Sequence, residues 1–419
     1  MTPFHYQNGK LYVENVSIEA LAREEKTPFY VYSEQKLRSQ MRAFTEAAQK
    51  YLSSFQICFA LKSNANLAVI KVLASMGAGA DIVSGGELLL ALRVGVPADK
   101  IVFSGVGKTR EELTLAVEKE IGQINLESAE EAVMLEDIAK KAGKKVRVAV
   151  RVNPDVDAHT HQKITTGKKE NKFGVAWREA RSLYRNLAAS ENLIPVGIDV
   201  HVGSQLLETQ PFDEAFKKTA AIIRTLKEDG IVLETIDIGG GLGVSYQETD
   251  KPCSPDDYMK VVAENLADFG CRIIFEPGRF LVAPAGVLVS RVVRTKHTET
   301  KDFLVLDAGM NDLIRPAIYD AYHAVKAVKE AEPSRLYDVV GPICESSDVF
   351  GKARKLPEMK AGDLVVLETA GAYGSSMGSN YNFRPLCAEF LVNGDHFAIV
   401  RKAQTFEEML SLNVLAPWL

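Results

Sequence analysis

A chain of 419 residues carries 50 Lys plus Arg against 55 Asp plus Glu, a formal charge of −5, with 46% apolar and 25% charged residues. That balance excludes the basic excess of a general nucleic-acid binder, and no apolar run approaches the roughly 18 residues of a membrane span. The N-terminus lacks the apolar core of a secretory signal, and five scattered cysteines (Cys58, Cys253, Cys271, Cys344 and Cys387) form no CxxC pair, so reduced thiols in a cytoplasmic protein are expected.

The length exceeds the roughly 250–300 residues of one hydrophobic core, which predicts two domains. In chain order, YQNGKLYVENV (6–16) is strand-like, with Asn-Gly as a hairpin turn. Eight short apolar runs follow at steady pitch: FQICFAL (55–61), GADIVS (79–84), KIVFSG (100–105), QINLES (123–128), VRVAVRVN (146–153), VGIDVHVG (196–203), TIDIGGG (235–241) and RIIFEPG (272–278). Most are continuously apolar, the pattern of parallel strands buried on both faces. Helical stretches alternate with them. Residues 127–143 begin with a Ser cap, run from Glu to Lys and stop at Gly; 109–120 and 212–230 behave alike. Eight strands alternating with helices predict a (β/α)8 TIM-like barrel over residues 36–280, with a doubly wound open sheet as the alternative. After Gly278 the texture changes. GVLVSRVVRTKHTE, DFLVLDAG, LYDVVGPIC, DLVVLETAG and HFAIVRKAQTFEE are strand-like, predicting a mostly β domain from residues 281–419 joined by residues 1–35.

In a barrel the chemistry gathers at the C-terminal strand ends. Those ends carry Lys62, Asp81, His201, the triplet Gly239-Gly240-Gly241, and Glu276-Pro277-Gly278-Arg279. A desolvated Lys62 is an amine nucleophile toward an aldehyde; the plainer alternative is a strand-end lysine reaching solvent. The glycines offer amides to a phosphate, or form a flexible turn; GGGLG lacks the GxGxxG spacing of a dinucleotide site. Glu276 either pairs with a cationic ring nitrogen or makes a structural ion pair with Arg279. His201 is a packed residue or a flat face for a planar ligand. Together these features describe pyridoxal 5′-phosphate. SGVGKT (104–109) fails as a P-loop, since Val102 stands where the first Gly belongs, and His159 and His161 read as loop residues rather than metal ligands.

The ordered motifs FALKSN, DIVSGGE, HVGSQ, IGGGLG, EPGR, RPAIYDAYH, GPICESSD and GAYGSSMGSNYN carry a resemblance over about residues 28–400. The chain resembles the pyridoxal-phosphate-dependent group IV decarboxylases of fold type III, and within them the branch acting on diaminopimelate. The resemblance implies an alanine-racemase-like barrel, a homodimer with shared active sites, and decarboxylation of meso-2,6-diaminopimelate to L-lysine and CO2, the last step of lysine biosynthesis. It implies Lys62 as the lysine that binds the cofactor aldehyde, and His201 as the residue stacked on the pyridine ring. Asp81, Ser204, Gly239, Gly240, Gly241, Glu276, Pro277, Gly278, Arg279 and Tyr373 are implied as further cofactor contacts. Arg279, Arg315 and Tyr319 look like a clamp for the substrate's distal carboxylate, Glu345 like the partner of its distal ammonium, with Tyr373 nearby. Cys344 looks like the proton donor to Cα, supplied across the dimer interface, with Lys62 the competing donor. Two other readings are weighed: another basic or polyamine-related decarboxylase, against which RPAIYDAYH and CESSD argue, and a catalytically silent cofactor-binding homologue, against which the presence of Lys62 and Cys344 argues.

Overall fold

The structure is a computed structural model that describes residues 3–153 and 172–419. His159 and His161 lie outside the described residues. The chain forms two compact units, one of residues 39–245 and 250–281, the other of residues 1–38, 246–249 and 282–419.

The first unit is a closed barrel of eight parallel strands. They are Phe55–Ala60, Gly79–Ile82, Ile101–Phe103, Gln123–Leu126, Val146–Arg151, Leu193–Asp199, Thr235–Asp237 and Arg272–Phe275. Seven fall inside one of the eight apolar runs; the sixth, Leu193–Asp199, begins three residues before its run at 196–203. The eighth strand pairs with the first, Ile273 opposite Phe55, and closes the sheet that the open alternative would have left with two edges. Cys58, Val102 and Ile274 fill the barrel interior. Outside the strands, Phe44 meets Phe275 edge-on at 5.4 Å and Phe212 meets Tyr258 at 4.7 Å, pairs worth about 0.5–1.5 kcal/mol each beyond their burial.

The helices begin where their caps predict. Ala129–Ala142 is capped by Ser128, which accepts from the Glu131 amide, and ends at Gly143. Arg110–Glu118 carries a full capping box between Thr109 and Glu112. This cap also explains why SGVGKT is no phosphate loop. Lys108, wholly buried, donates to the carbonyls of Gly105 and Asn125 at 2.7 and 2.8 Å and to Glu131 at 2.6 Å. All three ammonium donors serve as a structural staple.

The second unit is built on a mixed sheet in the order Val349–Leu356, Arg335–Val340, Asp302–Leu306, Gly286–His297, Phe29–Ser33, Ala388–Asn393, His396–Arg401. Leu364–Leu367 also pairs with Gly286–His297. The N-terminal hairpin joins Phe4–Gln7 to Lys10–Val13 through Asn8 and Gly9, both at positive φ (53° and 74°), as a tight Asn-Gly turn requires. Its Leu11 and Val13 pack with Phe29, Val31, Val287, Val289 and Phe390 in one core. Full burial of each such side chain stabilises by about 1.5–3 kcal/mol. Among the described residues, no helix is long and apolar enough to cross a membrane.

Candidate active site

The barrel's C-terminal end holds the first group of predicted residues. Lys62 lies in the single turn Leu61–Ser63 directly after the first strand. Its Nζ donates to Asp81 Oδ2 at 2.7 Å, and its side chain keeps 37% exposure. The lysine is thus neither buried alone nor released to solvent: an ion pair aims it. Asp81 is fully buried, and its Oδ1 has no hydrogen-bond partner among the described residues.

His201 stands two residues past the sixth strand. Its Nδ1 lies 3.2 Å from the Gly240 amide and must accept that hydrogen, so a neutral ring carries its proton on Nε2. Burial, Arg151 and Lys62 push its pKa well below the usual value, which keeps the ring neutral. The glycine triplet lets three loops converge. Gly239 has φ +63°, and a Cβ there would lie 2.3 Å from His201 Nδ1. At Gly240 a Cβ would lie 2.5 Å from the Glu276 carbonyl oxygen, and at Gly241 2.9 Å from that of Gly203. The Gly239 amide donates to Asp237 at 3.0 Å. The first two amides of the triplet are therefore engaged within the protein, and these glycines supply space as well as donors.

Glu276 follows the eighth strand and is buried. Ser104 Oγ donates to its Oε1 at 3.3 Å. The Pro277 carbonyl accepts from the Ala60 amide across the barrel seam. Gly278 presses on the Lys62 turn: a Cβ would come within 2.9 Å of Ser63 Cβ. Arg279 is buried, and its Nη2 donates to Ser204 Oγ at 3.1 Å, so Ser204 and Arg279 form one polar corner.

Asp199 and Asp237, which the sequence reading passed over, share this site. Both end barrel strands and are fully buried. With Asp81 and Glu276 they make four buried acids at one end of the barrel. Burial, then Asp237, Asp81 and Asp199, push the Glu276 carboxyl well above its ordinary range. Burial first, then Asp237, does the same to Asp199, and burial drives Asp237 up to about 6. The facing cations are Lys62 on Asp81 and Arg151, whose Nε is 3.8 Å from Asp199 while its Nη1 donates to Glu127 at 3.0 Å. Among the described residues, these four acids and Glu127 face two cations, which leaves room for added positive charge. Asp81 Oδ1 and Asp199 Oδ1 have no hydrogen-bond partner among the described residues. A group with a cationic ring nitrogen and an aldehyde fits this set, which is the chemistry of pyridoxal phosphate. The clue in the sequence was an acid closing an otherwise apolar strand, in GIDV and TIDI.

The second unit holds the remaining predicted residues. Arg315 and Tyr319 share the short helix Arg315–Tyr319. Arg315 is buried, its guanidinium 4.7 Å from the Tyr246 ring centroid. Tyr373 is partly buried and adopts φ +56°. Cys344 and Glu345 occupy an exposed loop. The Cys344 amide donates to Asn382 Oδ1 at 2.9 Å, and Glu345 accepts from Ser347 at 2.6 Å. Hydrogen bonds from Ser347 and Tyr381 hold its carboxyl below the usual range. Buried Asp348 rigidifies this loop by accepting from the Met310 and Ile343 amides, both at 2.7 Å. The structure thus groups Arg315 with Tyr319 and Cys344 with Glu345, on separate segments.

The pyridoxal-binding domain of the pyridoxal-dependent decarboxylases matches residues 35–283. A diaminopimelate decarboxylase from Zymomonas mobilis is 45% identical, with all of both chains covered. The crystal structure of diaminopimelate decarboxylase from Helicobacter pylori complexed with L-lysine superposes with a TM-score of 0.91 at 42% identity, covering 94% of this chain and 98% of that one. The M. jannaschii enzyme in co-complex with L-lysine gives 0.96 at 35% identity, covering 100% of both. A buried acid cluster facing an aimed lysine, on a fold and sequence shared with these proteins end to end, settles the family: the chain belongs to the pyridoxal-dependent decarboxylases, in their diaminopimelate decarboxylase branch.

Proposed function

We propose that the barrel's carboxylate cluster and Lys62 hold pyridoxal 5′-phosphate, and that the chain decarboxylates meso-2,6-diaminopimelate to L-lysine and CO2 with the residue roles that follow. The observation that carries this reading is the set of four buried acids, Asp81, Asp199, Asp237 and Glu276, gathered at the barrel end where Asp81 aims Lys62. When bound, the cofactor supplies an electron sink for the pair left at Cα as CO2 departs. Glu276 holds the ring nitrogen protonated, because a cation beside it relieves the repulsion from its three neighbours. Asp81 orients the Lys62 amine. His201 offers a neutral ring face, and its Nδ1 is fixed by the Gly240 amide. Ser204, the glycine triplet, Gly278 and Arg279 surround the phosphate; Pro277 sets the turn, and Tyr373 stands beside cofactor and substrate.

Arg279, Arg315 and Tyr319 hold the substrate's distal carboxylate, and Glu345 its distal ammonium. Ornithine or lysine as substrates lack that carboxylate and would leave these donors unpaired, which rejects them by roughly 10⁴ or more. Cys344 delivers the proton to Cα, with Lys62 the competing donor. Cys344 and Glu345 are exposed in the single chain beside Tyr381 and Phe383, themselves 45% and 47% exposed. A second copy covering this ledge would bury the thiol and complete a shared site, which supports a homodimer. The unpaired state of all five cysteines supports a cytoplasmic enzyme.

Lys62→Ala tests the cofactor assignment. The purified protein should lose the visible absorbance of the lysine-bound cofactor; an unchanged spectrum would remove Lys62 from its role.

A further inference from the structure

One buried histidine in the second unit has no part in the roles above. His323 is fully buried. Its Nε2 lies 2.8 Å from Arg315 Nη1, and its Nδ1 lies 2.8 Å from the Glu368 carbonyl oxygen. A guanidinium has only donors and a carbonyl only accepts. Both ring nitrogens are therefore determined: Nε2 accepts from Arg315 and Nδ1 donates to Glu368. One neutral tautomer satisfies the geometry. Tyr246 closes the arrangement. Its ring lies 4.7 Å from the guanidinium carbon and meets the His323 ring edge-on at 5.4 Å. The chain reverses between Arg315 and His323 at Asp320, whose φ is +51° and whose amide caps the Arg315 carbonyl.

We infer that His323, braced by Tyr246, is the positioning residue that aims Arg315 at the substrate's distal carboxylate. The inference rests on the proposed role of Arg315. The chemistry of the two braces is its warrant. A carboxylate at the His323 position would hold the guanidinium more strongly, but it would also cancel its charge and compete with the substrate's own carboxylate. A neutral imidazole and an aromatic face restrain the plane and add no counter-charge. With His323 fully buried and Tyr246 partly so, they keep one of the guanidinium's forks in a fixed direction, which bidentate recognition needs and a freely rotating side chain does not supply.

The test uses the cofactor-loaded enzyme and two ligands read by spectral titration. L-Lysine, the reaction product, keeps the distal carboxylate; 1,5-diaminopentane lacks it. His323→Leu should weaken L-lysine binding by about 10- to 100-fold, the range for a lost hydrogen bond to a charged group, and leave 1,5-diaminopentane unchanged. His323→Gln, which places an amide oxygen near the Nε2 position, should recover most of the loss. Arg315→Ala is measured alongside. Should it lose L-lysine binding while His323→Leu does not, the inference is overturned and the clamp stands. If Arg315→Ala itself spares L-lysine, the clamp reading fails and takes the inference with it. Equal weakening of both ligands by His323→Leu would mean a merely structural histidine and would overturn the proposal. Tyr246→Leu removes the brace from the other side, and it carries the same expectations if His323→Leu does not fold.

Discussion

Gly240→Ala probes the convergence of the seventh and eighth strand ends on the cofactor site. The new Cβ would sit 2.5 Å from the Glu276 carbonyl oxygen and 3.3 Å from its carbon. Ordinary contact begins near 3.4 Å, so these backbones must separate by close to an ångström. They cannot do so freely. The Glu276 amide donates to the Gly239 carbonyl at 2.8 Å, and the Gly240 amide donates to His201. Overpacking of this kind costs about 1–3 kcal/mol. The displaced groups are Glu276 and His201, so the cost should appear in cofactor affinity, as a loss of roughly 5- to 150-fold. Gly107→Ala is the control: its Cβ meets nothing within 4 Å and its φ is not in the left-handed region. Equilibrium binding of pyridoxal phosphate, followed by absorbance, compares the three proteins. Wild-type affinity in Gly240→Ala would refute the argument that this glycine exists to let Glu276 and His201 approach.

Raising the pH should destabilise the cofactor-free protein. Asp237 is pushed up to about 6 and Asp312 up to about 7, in both cases chiefly by burial. The folded state then binds more protons than the unfolded, so stability is full below the unfolded value near 4 and is lost as pH rises through 6 to 7. Between pH 5 and 8 these two groups account for a loss of about 4 kcal/mol. Urea unfolding at both pH values reads it, and stability that rises over this interval would contradict the upward shifts of Asp237 and Asp312. If Cys344 acts across a dimer interface, mixing inactive Lys62→Ala and Cys344→Ala dimers should restore activity in heterodimers; silence after verified subunit exchange would count against a shared site.

Local signals carried most of the barrel. Continuous apolar runs marked each of the eight strands, and the caps at Thr109 and Ser128 fixed two helix starts, because burial on both faces and orphan amides leave their mark within a few residues. Lys62 and Glu276 were legible for the same reason: each interrupts a run just where a strand ends. Asp199, Asp237 and Arg151 were not singled out. A strand-end acid looks solvated until the barrel closes and sets strands two, six, seven and eight around one point. In the second unit, Phe29–Ser33 and Ala388–Asn393 are central strands that the sequence reading did not single out. They pair with each other across more than 350 positions of chain, and no local pattern announces such a partner. His323 shows the same limit. Its role depends on Arg315, Tyr246 and Glu368, which only the fold brings together.

The central claim is that this site releases CO2 from an amino acid bearing a second, distal carboxylate. Turnover of meso-diaminopimelate, L-ornithine and L-lysine by the purified, cofactor-loaded protein tests it directly. CO2 and L-lysine should form rapidly from meso-diaminopimelate, with the other two slower by roughly 10⁴. Equal or faster release from ornithine or lysine would contradict the account.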